Sequence, residues 1–90
     1  MVTVRVPAQL RGLTGEQGEV EVEGATIKEV LAALVERYPA LGERIFDEQG
    51  SVRRFVNVFL DSEDIRFLDG PSTRVAAGAV VSIVPAVAGG

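Results

Sequence analysis

The chain has 90 residues, a net charge of -4, and neither cysteine nor histidine. One domain of this size holds a single modest core. The missing residue types exclude disulfides, thiolate nucleophiles, zinc sites of the usual kind and imidazole acid–base catalysis. The acidic balance disfavours nucleic-acid binding, which needs a basic face, and suits a partner with a basic one.

Val2 to Val6 alternates apolar and polar residues, the pattern of a half-buried strand, and Pro7 limits its extension. Leu10 to Gly18 reads as a turn region punctuated by Gly12, Gly15 and Gly18. Glu19 to Glu23 alternates again and Gly24 ends it, so the two strands are expected to form a hairpin. Thr26 and Glu29 then have capping-box spacing. Ile27, Val30, Leu31, Leu34, Val35 and Tyr38 follow as one stripe of an amphipathic helix, which Pro39 stops. Lys28, Glu29, Glu36 and Arg37 occupy its solvated face.

Leu41, Ile45 and Phe46 suggest a short helical turn beneath the core, followed by a loop over 48–51. Phe55 to Leu60 is rich in β-branched and aromatic residues and reads as a central strand. The sequence then predicts a turn over 61–64, a short strand over 65–67, and turns at 69–71 and 76–79. The last strand runs from Ala79 to Val84 and is closed by Pro85. The order implies an α+β domain, a mixed sheet of about five strands on one main helix, covered on one face only. Residues 1–85 form the domain and 86–90 a flexible tail.

The polar residues Asn57 and Ser82 assign each strand's outer face, leaving Val56, Val58, Leu60, Val81 and Ile83 inward with Val2, Val4 and Val6. Phe55, Phe59, Val80 and Val84 then form an apolar patch on the open face, beside the root of the tail. Such a patch suits partner binding, unless the segment from Leu41 to Phe46 covers it. Asp61, Glu63 and Asp64 lack the spacing of a calcium loop and read as a polar turn. Arg53-Arg54 is read as a solvated pair, with partner docking second. The serines have no histidine to activate them, and no glycine motif fits a phosphate loop. The longest apolar run, 76–88, is interrupted by Gly78, Ser82 and Pro85, so no membrane span is expected. With no leader pattern either, the cytoplasm is the expected location.

The chain closes in Ala86-Val87-Ala88-Gly89-Gly90. Glycine lacks a Cβ, so such an ending fits a slot too narrow for side chains. From Pro85 the extended tail reaches about 17 Å, enough to carry a carboxylate into a partner's active site. The Gly90 carboxylate is the only group in the sequence placed for chemistry.

The element order and the ending resemble the ubiquitin-like sulfur carriers of the MoaD/ThiS group, which have the β-grasp fold. Arg54-Phe55-Val56-Asn57-Val58 and Glu63-Asp64-Ile65-Arg66-Phe67 bring it nearest the CysO-type carriers of cysteine biosynthesis. Many relatives have an acidic turn before the last strand, where this chain has Ala77-Gly78-Ala79.

The resemblance implies a protein that is not itself an enzyme and binds no cofactor. A ubiquitin-activating-type adenylyltransferase would use ATP to adenylate Gly90, and a sulfur donor would replace AMP to leave a thiocarboxylate. The sulfur would pass to a PLP-dependent cysteine synthase, and a metal-dependent peptidase would release the cysteine. Alternatives are the small subunit of molybdopterin synthase acting with its large subunit, a sulfur donor for thiamin or another metabolite, and a ubiquitin-like modifier of target lysines. With Lys28 the only internal lysine, branched chains of modifier are not expected.

Overall fold

A computed structural model describes residues 1–85. Strand β1 (Val2–Arg5) pairs antiparallel with β2 (Glu19–Val22), with Val2 opposite Val22 and Val4 opposite Val20. This is the expected hairpin, and its valines turn to one side because side chains alternate along a strand.

The connection between these strands is not a simple turn. Residues Ala8–Leu13 wind into a 3-10 helix, begun by the Leu10 N–H donating to the Pro7 carbonyl at 2.9 Å. Leu10 is thereby turned into the core. The buried Thr14 hydroxyl donates to the Gln17 carbonyl at 2.9 Å, closing the excursion.

Helix α1 spans Ile27–Arg37. Its first turn uses the capping pair seen in the sequence: the Glu29 N–H donates to Thr26 Oγ1 at 3.3 Å. The Glu29 carboxylate reaches one residue further back than the usual capping box, accepting from the Ala25 N–H at 3.0 Å. Gly24 makes the approach possible, since a Cβ there would lie 2.7 Å from the Val30 nitrogen. Ile27, Val30, Leu31 and Leu34 are fully buried, while Val35 and Tyr38 lie at the margin. A 3-10 turn (Pro39–Leu41) and the short α2 (Gly42–Ile45) then drive Leu41 and Ile45 into the same core.

Strand β3 (Val56–Leu60) is followed by β4 (Glu63–Asp64) and, last, β5 (Val80–Pro85). The sheet order is β2-β1-β5-β3-β4, with β1 and β5 parallel and the other pairs antiparallel. Here too the structure departs from the sequence reading. Residues 63–64 pair as a strand, and Ile65–Phe67 is a 3-10 turn rather than a strand. Asp64 causes the switch: its carboxylate accepts the Arg66 N–H at 2.9 Å and starts the turn. That bond holds its pKa below the ordinary carboxylate value, with the Arg66 side chain adding to the effect.

Between β4 and β5, a 3-10 turn (Gly70–Ser72) leads into a strap across the start of α1. The Ile27 N–H donates to the Thr73 carbonyl at 3.0 Å, and the Val75 N–H to the Ala25 carbonyl at 2.9 Å. The chain then turns at Gly78, whose φ of 86° favours glycine, and enters β5.

Candidate docking face and tail root

The outer face of the sheet carries the predicted patch. Asn57 lies opposite Val84 and Phe59 opposite Ser82 across β3 and β5. On the other side of β5, Thr3 aligns with Val80 and Arg5 with Ser82. Side-chain alternation therefore brings Phe59, Val80 and Val84 to one surface, with Asn57, Ser82, Thr3 and Arg5 among them. Val84 is 44% exposed, and Phe59 and Val80 are half-buried against their neighbours.

Phe55 falls just ahead of β3 instead of within it, and is 51% exposed. The Arg53 guanidinium lies 6.0 Å from its ring centre, within cation–π range. Nothing from residues 41–46 shields this face, because Leu41 and Ile45 are consumed in the core. The inward assignments hold for Val56, Val58, Val81 and Ile83, while Leu60 packs partly buried at the core's edge.

Val56 lies opposite Pro85, so Phe55 sits where the chain leaves the sheet. Arg5, Gln9 and Arg11 flank Pro85 from the β1 side in a shallow groove. Arg11 is fixed by its Nε donating to the Val6 carbonyl at 3.2 Å. The predicted tail residues Ala86, Val87, Ala88, Gly89 and Gly90 lie outside the described residues. The face thus presents the exposed Phe55 ring and Val84 beside the half-buried Phe59 and Val80 on a paired sheet. It holds no nucleophile with a neighbouring base.

Among the described residues no group of three or more acidic side chains is placed to hold a metal ion. Asp61 is structural: its carboxylate accepts the Val80 N–H at 3.2 Å and steadies the start of β5. Among the described residues no helix is long and apolar enough to cross a membrane. Arg53 and Arg54 do not stand alone before a strand. Folding brings Arg66 to the same groove, a convergence that has no signal in local sequence.

Comparison with known proteins places this geometry. A chain from the crystal structure of the Amycolatopsis orientalis BexX/CysO complex superposes with a TM-score of 0.92 at 39% identity, covering 100% of both chains. The sulfur carrier protein CysO of Mycobacterium tuberculosis is 43% identical over 99% of this chain and 98% of its own length. The crystal structure of SAMP1 from Haloferax volcanii matches at a TM-score of 0.81 and 31% identity, covering 99% of this chain and 98% of that one. The fold is the ubiquitin-like β-grasp, as the element order led us to expect. The chain belongs to the ThiS family, whose sequence model matches residues 4–90.

Proposed function

We propose that this chain is a sulfur carrier of the CysO type, and that its working group is the Gly90 carboxylate. The observation that carries the reading is the 43% identity, over nearly all of both chains, to a CysO sulfur carrier. The open face and the position of Pro85 support it by supplying a docking surface at the root of the proposed tail, residues 86–90.

The chemistry follows from the weakness of a carboxylate as an electrophile. A separate adenylyltransferase lets the Gly90 carboxylate attack the α-phosphorus of ATP, and pyrophosphate leaves. The acyl-adenylate then accepts a sulfur nucleophile, and AMP departs. The resulting thiocarboxylate is ionised at neutral pH, whereas a free cysteine with a pKa of about 8.5 is mostly protonated. Sulfur is thereby delivered as a nucleophile without release of sulfide.

The acceptor we infer is a PLP-dependent cysteine synthase, docked on Phe55, Phe59, Val80 and Val84 with Pro85, Ala86, Val87 and Ala88 threading its entrance. The transfer leaves cysteine joined to Gly90, as an amide after an S-to-N acyl shift, and a metal-dependent peptidase hydrolyses that bond to free the cysteine. This chain acts as a protein cosubstrate and holds neither ATP nor PLP itself. We place it in the cytoplasm, where ATP and the acceptor enzymes are available. The structure of a CysO relative in complex with BexX supports docking to a partner protein.

Deleting Gly90, or appending one bulky residue after it, is expected to abolish sulfur transfer while leaving the amide spectrum of residues 1–85 unchanged. Transfer that survives either change contradicts insertion of the tail.

A second reading, protein modification, is favoured by one observation, the likeness to a small archaeal modifier protein, 38% identical over 76% of this chain. Gly90 would then form an isopeptide bond with a target lysine. Mass spectrometry of lysine adducts in host extracts separates the two readings, since a carrier leaves none. Co-purification separates cysteine synthase from the molybdopterin synthase large subunit or another sulfur acceptor.

A further inference from the structure

The two edges of the sheet are treated differently. The β2 edge is protected: Glu19 and Glu21 stand exposed along it, and Arg37 Nη1 donates to the Glu21 carbonyl at 3.2 Å. The β3 edge is only partly covered, because β4 meets it at Phe59 and Leu60 alone. Over Val56–Val58 no strand lies beside it among the described residues. The Val56 N–H turns aside to the Arg53 carbonyl at 3.0 Å, away from β5. Alternation along the strand points the Val58 amide the same way.

Beside this gap lies a groove of about 470 Å³. Val56, Val58 and Ile65 supply an apolar floor, and Arg53, Arg54 and Arg66 rim it. No acidic side chain lines it. Arg53 is held by its Nε donating to the Glu43 carbonyl at 2.8 Å, and Arg66 by Asp64 at 3.4 Å. Arg54 is exposed and has no ion-pair partner among the described residues. Three of the chain's arginines thus converge on one groove of a protein whose net charge is -4.

We propose that the β3 edge and its arginine-rimmed groove bind an extended acidic segment of a partner protein by strand addition. The backbone gap supplies hydrogen bonds, the floor takes an aliphatic side chain, and the guanidinium groups select carboxylates. The floor of the site is on the opposite side of the sheet from the outer face, since Val56 and Val58 point inward, and Arg53 alone borders both through Phe55. A second protein could therefore hold the carrier while its tail is engaged elsewhere. The inference does not depend on Gly90 chemistry, and its test uses none.

The probe is the peptide acetyl-Asp-Val-Ile-Val-Asp-Glu-amide, titrated into the full chain labelled with nitrogen-15. Saturable shifts at Val56, Val58, Ile65 and Arg66, with a Kd below about 1 mM, and slowed exchange of the Val58 amide are expected. Arg54→Glu, on an exposed side chain, is expected to weaken binding about tenfold with the remaining spectrum unchanged. No saturable shift, shifts confined to Phe59, Val80 and Val84, or equal binding of a peptide with lysine in place of each acid overturns the proposal. So does reproduction of the same shifts by inorganic phosphate alone, which marks an anion site instead of a peptide groove.

Discussion

The two faces of the sheet use similar amino acids to opposite ends. On the inner face Val4, Val58 and Val81 meet Leu31, Leu34 and Ile45, all almost wholly buried. On the outer face Val80, Val84 and Phe59 come from the same strands, yet have no layer above them among the described residues. The difference is one of position along an alternating strand, since hydrophobicity is comparable on both sides. Inner residues stabilise the fold by leaving water, whereas Val84 keeps 44% of its surface exposed and Phe59 and Val80 are only half-buried.

Substitutions should separate the faces. Leu34→Ala is expected to cost about 2–5 kcal/mol in a denaturant titration, because it opens a cavity in the close-packed core. Gly24→Ala should cost about 1–3 kcal/mol, since the new methyl meets the Val30 backbone at 2.7 Å. Thr26→Ala removes the helix cap and should cost about 1 kcal/mol. Val84→Arg on the outer face should change stability by no more than about 0.5 kcal/mol while weakening capture by the proposed acceptor enzyme. Phe59→Arg should likewise reduce binding more than folding, and equal loss of both would place Phe59 in the core.

The smallest effect concerns acid. Asp64 has a lowered pKa in the folded state, chiefly from the Arg66 N–H. Its contribution is therefore complete above the unfolded value of about 3.9 and is lost as pH falls through the folded value. Asp64→Asn should flatten the acid limb of the stability profile by lowering stability slightly near neutral pH while leaving it unchanged at the acid end, as thermal unfolding across pH 2–6 (roughly the titration range of carboxylates) would show.

Much of this architecture was readable because periodicity reports burial directly. The stripe from Ile27 to Leu34 and the polar markers Asn57 and Ser82 assigned the inner and outer faces correctly. The errors fell where a local hydrogen bond overrode pattern. Ile65-Arg66-Phe67 looks like a strand, but the Asp64 carboxylate nucleates a 3-10 turn and leaves Phe67 85% exposed. Glycine spacing from 12 to 18 concealed the winding at Ala8–Leu13 that buries Leu10. The placement of Phe59, Val80 and Val84 on the outer face was legible for the same reason as the core. The meeting of Arg53 and Arg54 with Arg66 was not, since it depends on how β3 and the turns after β4 pack together.

The central claim, that Gly90 carries the sulfur, is tested most directly by intact mass after incubation with the activating enzyme, ATP and sulfide. Exchange of one oxygen for sulfur should add about 16 Da, and thiol-selective alkylation distinguishes it from oxidation of Met1. The account predicts that gain, localised to the C-terminal peptide and absent without ATP. An unchanged mass under conditions that thiocarboxylate a CysO control would contradict it.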